Sequence, residues 1–282
     1  MTGKLKEWVF DLNPHDTCVT NKITDGKQCT IMGHLYDLNN YLVNSKIVDS
    51  IIKLFDEEFD IYAPLMATQG EVHDYPGMVI DYNTQGKVVF TMFDYIGNVL
   101  NDIPYELYGT ALTPACSHLF IANNNKTKVI PEEQEIFHHF VSKLLYLSNR
   151  KRPEIKTSMS YLCTRVHNLD IDDTKKVIRI IRYLRVTQWP PLTLESDDGL
   201  IFKWWVYVPY AMHNDYQRHT GATLSLGKYY PYSKSSKQKL NTKRSTEDEI
   251  VGIDDMMLMI IWTRYFMEAQ GYHITDNIRE TG

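Results

Sequence analysis

Between residues 131 and 186 the chain carries three successive apolar stripes at helical spacing, with strand-like runs on both sides. That segregation restricts it to an α+β architecture. In the first stripe Ile136, Phe137, Phe140, Val141, Leu144, Leu145 and Leu147 recur at three- and four-residue intervals, Pro131 holds a first-turn position, and Glu132 and Glu133 stand at the positive end of the helix dipole. A second helix is predicted over about 155–166. A third, starting near Asp172, places Val177, Ile178, Ile181 and Leu184 on one face and Lys175, Lys176, Arg179, Arg182 and Arg185 largely on others, which makes it amphipathic and basic. Gln188-Trp189-Pro190-Pro191 then breaks the pattern and marks a domain boundary, because proline has no amide N–H to give a helix or an inner strand.

Upstream, CTIMGHLYDLNNYLV (29–43) reads as two short strands hinged on Tyr36-Asp37. Ser45 is placed to cap a helix running to about Phe59, with Ile47, Val48, Ile51, Ile52, Phe55 and Phe59 on its buried face. Glu71 to Phe93, with MVIDYNTQGKVVFTM (78–92) within it, reads as strands around a turn at 83–86, followed by a helix from about Met92 to Leu100 that ends before Pro104. NNNKTK (123–128) is the most loop-like stretch. Downstream, strands are predicted at 200–207, 221–226 and near 229–233. A long helix follows over about 246–270, with Ser245 or Thr246 as its cap and Gly271 as its stop.

The formal net charge of −5 is unusual for a dedicated nucleic-acid binder. The charges are segregated, however: Lys228, Lys234, Lys237, Lys239, Lys243 and Arg244 occur without an acid between them, and Glu247, Asp248, Glu249, Asp254 and Asp255 follow at once. Such a layout suits either a local phosphate-contacting surface or a solvated loop beside an acidic helix start. Cys18, Cys29, Cys116 and Cys163 form no C-x-x-C pair, so neither a zinc site nor a redox pair is indicated, and reduced thiols inside the cell are expected. No apolar run reaches membrane-span length and MTGKLKEWVFDLNPHD lacks a signal-peptide layout, so the expected setting is cytoplasm or nucleus, with no membrane partner. A glycine-rich phosphate loop and a Ser/His/Asp or Cys/His nucleophile set are both missing from the sequence pattern.

Several segments together resemble the Ty1/copia class of retrotransposon Pol polyproteins. NPHDTCVTNK (13–22) leads into the 29–43 hairpin as the family's chain leads into its paired aspartates. Tyr75-Pro76-Gly77-Met78 with FTMFDYIGNVL (90–100) resembles the family's Leu-Gly-Met strand and the helix after it, and TPACSHLF (113–120) its following linker. FHHFVSKLLYLSNRKRPEI (137–155) is similar to the family's helix ending in Leu-x-Tyr-Leu and an Arg-Pro-Asp-Ile element. SKSSKQKLNTKRSTEDEIVGIDD (233–255) is similar to its Ser-Ser-Lys-x-Gln-Lys and Ser-Ser-Thr-Glu-Ala-Glu elements. The resemblance implies the end of a reverse-transcriptase palm built of hairpins over 1–122, a helical thumb or connection over 123–190, and the first part of a ribonuclease H-like mixed sheet with a long helix over 191–282.

The family copies RNA into DNA and degrades the RNA strand of the hybrid, using Mg²⁺ pairs held by carboxylates. By resemblance Asp37 matches the second palm aspartate and Tyr36 stands where the first would be. The match lapses at Gly33, where the family often has tryptophan, and resumes at His34. In Trp204-Trp205-Val206-Tyr207, Tyr207 takes the place of the first ribonuclease H aspartate, and Glu249 matches the helix glutamate or is the reciprocal capping residue for Thr246. A phenol, with a pKa of about 10, is neutral at pH 7 and a poor ligand for a hard cation. The palm's earlier aspartate would precede Met1 and the next ribonuclease H aspartate would follow Gly282; Asp276 matches a variable position. Aspartate becomes tyrosine by one base change, so two such losses fit a decayed copy, and productive Mg²⁺ binding is not expected.

The implied partners are an RNA/DNA hybrid and the rest of the Pol polyprotein. Lys175, Lys176, Arg179, Arg182 and Arg185 on the basic helix are candidate phosphate contacts, as are Lys234, Lys237, Lys239 and Lys243 interleaved with tyrosines, their alternative being a solvated basic face. Three functions compete: an RNA-directed DNA polymerase with ribonuclease H, a non-catalytic nucleic-acid-binding module, and a relic.

Overall fold

The computed structural model describes residues 2–34, 37–41, 45–59, 67–104, 106–122, 129–197, 201–209, 217–240 and 242–280. The fold is α+β. The chain forms two compact units: Met1–Gly70 with Leu258–Ile274, and Glu71–Met257 with Thr275–Gly282.

The first unit begins with α1 (Thr2–Glu7) and an antiparallel sheet in the order β1 (Asp11–Asn13), β2 (Asp16–Thr24), β3 (Lys27–His34), β4 (Asp37–Tyr41), followed by α2 (Ser45–Phe59). Asp25 and Gly26, at φ +53° and +72°, form the two-residue corner between β2 and β3, the left-handed geometry that an Asp-Gly pair supplies. Leu5, Phe10, Cys29, Ile31, Ile51 and Phe55 make its core, with Trp8 edge-on to Phe55 at 5.2 Å. Within the described residues the expected 29–43 hairpin is present as β3 paired with β4, but His34 pairs with Asp37, so Asp37 opens a strand rather than sitting in the corner. Pairing across the strands sets this register, and side-chain pattern alone is insensitive to a one-residue slip at a corner. Tyr36 lies outside the described residues, as do the side chains of His34 and Asp37. β1 and β2 went unread in sequence because 11–24 is mostly polar; only Asn13, Val19 and Thr20 of these strands are buried.

In the second unit the chain runs β5 (Val72–Tyr75), β6 (Met78–Asp81), β7 (Lys87–Thr91), α3 (Phe93–Asn101), α4 (Pro131–Arg150), α5 (Lys156–Arg165), α6 (Ile171–Val186) and β8 (Leu192–Ser196). It continues through β9 (Ile201–Tyr207), β10 (His219–Ser225), β11 (Gly227–Lys228) and β12 (Tyr232–Lys237), with α7 (Ser245–Ala269) leading to β13 (Thr275–Glu280). The antiparallel sheet β11-β8-β7-β6-β5 and helices α3 to α6 share a core that contains Ile96, Leu144, Leu147, Ile155, Met159, Leu162 and Ile180. β8 follows the Pro190-Pro191 break yet pairs with β7.

Gly77, at φ +74°, turns β5 into β6 where a Cβ would fall 2.9 Å from Tyr95 Cδ2, and the Tyr146 hydroxyl donates to Pro76 O at 2.5 Å. The other sheet has the order β12-β10-β9-β13: β9, β10 and β12 are an antiparallel meander, and β13 returns parallel to β9 after the α7 crossover. Phe202, Trp204, Val206, Ala222 and Leu224 are buried on one face of it, and Met256 of α7 is fully buried. The strand expected near 229–233 begins later, at Tyr232, because Tyr229 takes a left-handed φ of +66° that no strand continues through. Lys234 and Lys237 are therefore strand residues, not loop residues.

Candidate functional site

β9 alternates buried and outward side chains, which fixes Phe202, Trp204 and Val206 inward and puts Tyr207 on the opposite face at the strand end, 52% exposed. α7 approaches this end closely. A Cβ added to Gly252 would lie 2.4 Å from Val208 Cγ2 and 3.4 Å from Val206 Cγ1, so the absence of a side chain at 252 permits the contact. Glu249 is one helical turn before Gly252, so the helix residue and the strand residue singled out by sequence belong to elements that meet at one place.

The polar groups at the start of α7 are mostly committed to holding it. Asp248 is buried with Arg218, whose Nε lies 2.7 Å from Oδ1 and 2.8 Å from Oδ2, and it also accepts from Thr242 Oγ1. Gln238 Nε2 donates to Thr220 Oγ1 at 3.0 Å and to Asp248 O at 3.3 Å. Thr220 Oγ1 in turn donates to Asp255 Oδ2 at 2.9 Å. Reaching back from the first turn falls to Glu247, whose Oε2 accepts from the Lys243 N–H at 2.9 Å, rather than to Glu249. Glu249 is half-buried and has no hydrogen-bond or ion-pair partner among the described residues. Among those residues no group of three or more His, Cys, Asp or Glu side chains is placed to hold a metal ion.

The basic candidates separate sharply by burial. Lys176 is 4% exposed, donates to Ile121 O at 2.9 Å, pairs with Asp173 at 3.2 Å and lies 4.8 Å over the Tyr161 ring. Arg179 donates to Thr113 O and Oγ1, Arg185 to Leu107 O and Gly109 O, and Arg182 is half-buried. Lys175 is exposed beside Asp172, 3.6 Å away. On the other stretch Lys234 donates to Asp255 O at 3.0 Å, Lys237 is half-buried, and Lys239, Lys243 and Arg244 are exposed. Helix periodicity identifies a basic face but is silent on which cations bridge to loops such as 107–121.

No family model matches the chain. Over 199 residues it is 24% identical to a Saccharomyces cerevisiae protein described as "Putative transposon Ty5-1 protein YCL074W". The match takes in 69% of this chain and 63% of that protein's length. The chain is thus similar in sequence to a transposon protein. Among the described residues no helix is long and apolar enough to cross a membrane.

Proposed function

We propose that the chain is part of a Ty1/copia-type retrotransposon Pol polyprotein, with palm-derived residues over 1–122, thumb or connection over 123–190 and the beginning of a ribonuclease H domain over 191–282, and that it is catalytically inactive. The similarity to a transposon protein and the order of the family-like motifs support the origin. The observation that carries the inactivity is the meeting of α7 with the end of β9, where resemblance calls for an aspartate and Tyr207 stands. Two-metal hydrolysis needs several carboxylate oxygens around ions roughly 3.5–4 Å apart. Here Asp248 is consumed by Arg218 and Asp255 accepts from Thr220, while Tyr207 puts a phenol at the end of β9 and on the sheet face opposite Val206, the side chain that Gly252 of α7 approaches. These residues do not fit a pair of Mg²⁺ ions.

The test is Mg²⁺-dependent primer extension and hybrid-nuclease turnover on the purified chain. No turnover above background is expected. Turnover abolished by Asp37→Ala or Glu249→Ala would overturn the proposal.

A second reading is favoured by the exposed Lys239, Lys243 and Arg244 ahead of α7: a module that keeps a phosphate-contacting surface without chemistry. It predicts salt-dependent binding of an RNA/DNA hybrid that weakens when Lys237, Lys239 and Lys243 are changed to Gln. Absence of binding at low salt would exclude it.

A further inference from the structure

The face of the β9-β10-β12 meander opposite Trp204 and Val206 carries a groove of about 290 Å³. The strand register aligns its floor: Trp205, Thr223 and Ser233 lie abreast, and so do Tyr207, Gly221 and Ser235. A Cβ at Gly221 would meet only Tyr207 O, at 3.6 Å, so glycine leaves the floor open between the tyrosine and the serine. The first turn of α5 forms one wall, where Lys156 Nζ donates to both the carbonyl and the hydroxyl of Ser233, the latter at 3.1 Å. Ser235 Oγ is held by the buried His219, whose Nε2 is 2.6 Å away, and it donates to Thr157 Oγ1 at 3.3 Å. Among the described residues no acidic side chain lines the groove.

A lysine ammonium beside several hydroxyls, with no carboxylate among the described lining residues, favours an anion; two bonds to Ser233 leave the ammonium a third proton to donate. Trp205 and Tyr207 supply aromatic surface for a flat ring, and the volume is near the lower end for small-ligand sites, roughly 300–1,000 Å³. We propose that this groove binds a single 5′-phosphorylated nucleotide, its phosphate at Lys156 and the Ser/Thr hydroxyls and its base against Tyr207. Lys237, Lys239 and Lys243 do not line the groove, and the proposal stands whether or not they hold a hybrid.

Ligand-observed NMR titration of the full chain with AMP, adenosine and inorganic phosphate tests this. AMP binds more tightly than either part alone, and Lys156→Gln weakens it roughly tenfold, the loss of one charge-assisted contact. Tyr207→Ala, at an exposed position where folding is not at stake, also weakens AMP, while changing Lys239 and Lys243 to Gln does not. A 5′-phosphorylated oligonucleotide that outcompetes AMP assigns the groove to a strand end, and the reverse order to a free nucleotide; either outcome supports the nucleotide class. Absence of AMP and oligonucleotide binding, or binding indifferent to both Lys156→Gln and Tyr207→Ala, overturns it.

Discussion

Lys151 ends α4 with its side chain almost wholly buried, and burial, aided by the neighbouring Arg152 charge, pushes its ammonium down to about 8 from 10.5. Below pH 8 both folded and unfolded chains hold the proton, and the folded chain bears the full cost of the buried charge. Between about 8 and 10.5 the unfolded chain binds more protons, so stability rises with pH through that window. Urea denaturation of wild type against Lys151→Met checks the sign: the variant is more stable at pH 7 by about 1–3 kcal/mol, and the gap closes toward pH 10. Gly252 gives a second residue-scale outcome. Helix propensity alone favours Gly252→Ala by about 1 kcal/mol, but a methyl placed 2.4 Å from Val208 Cγ2 forces α7 off β9. The expected result is a net loss of about 1–2 kcal/mol by thermal denaturation. Neither effect is visible in the sequence, since both depend on what faces the residue.

At the scale of the element, helices α2 to α7 were legible almost to the residue, whereas the six-residue α1 was not. α2, α4 and α6 follow their apolar stripes because a helix's burial periodicity is local and needs no partner to define it. α6 also carries a capping box, in which Asp170 accepts from Asp172 N at 2.7 Å and Asp173 N at 3.0 Å while Asp173 accepts from Asp170 N. Asp170→Ala should lower stability by about 1–2 kcal/mol. Asp173→Ala should cost more, about 3–5 kcal/mol, because it strands the half-buried Arg165 and the buried Lys176 charges. A thermal-shift comparison of the two variants ranks them. Strands were read less well: β1 and β2 are polar sequences made strands by pairing, and β12 starts late because of one left-handed residue.

Across the whole molecule, the mixed sheet depends on a long-range closure, since β13 reaches β9 only after the 25-residue α7. A chain ending at Gln270 leaves β9 as an open edge, and light scattering on heating should show faster aggregation than in the full chain. The three segments drawn from resemblance and the two compact units divide the chain differently, because the first division follows motif order and the second follows contacts. The α+β class, the helices and the family-like motif order were determined by the amino-acid sequence itself, as were the tyrosines at 36 and 207, because periodicity and residue identity are local properties. Tertiary structure alone decided that the end of β9 and the start of α7 meet through Gly252, that Lys176 and Arg179 serve the fold rather than a solvent-facing surface, and that Lys156 and Tyr207 share one groove. Those outcomes rest on pairings between residues 44 to 66 positions apart, which no local pattern encodes.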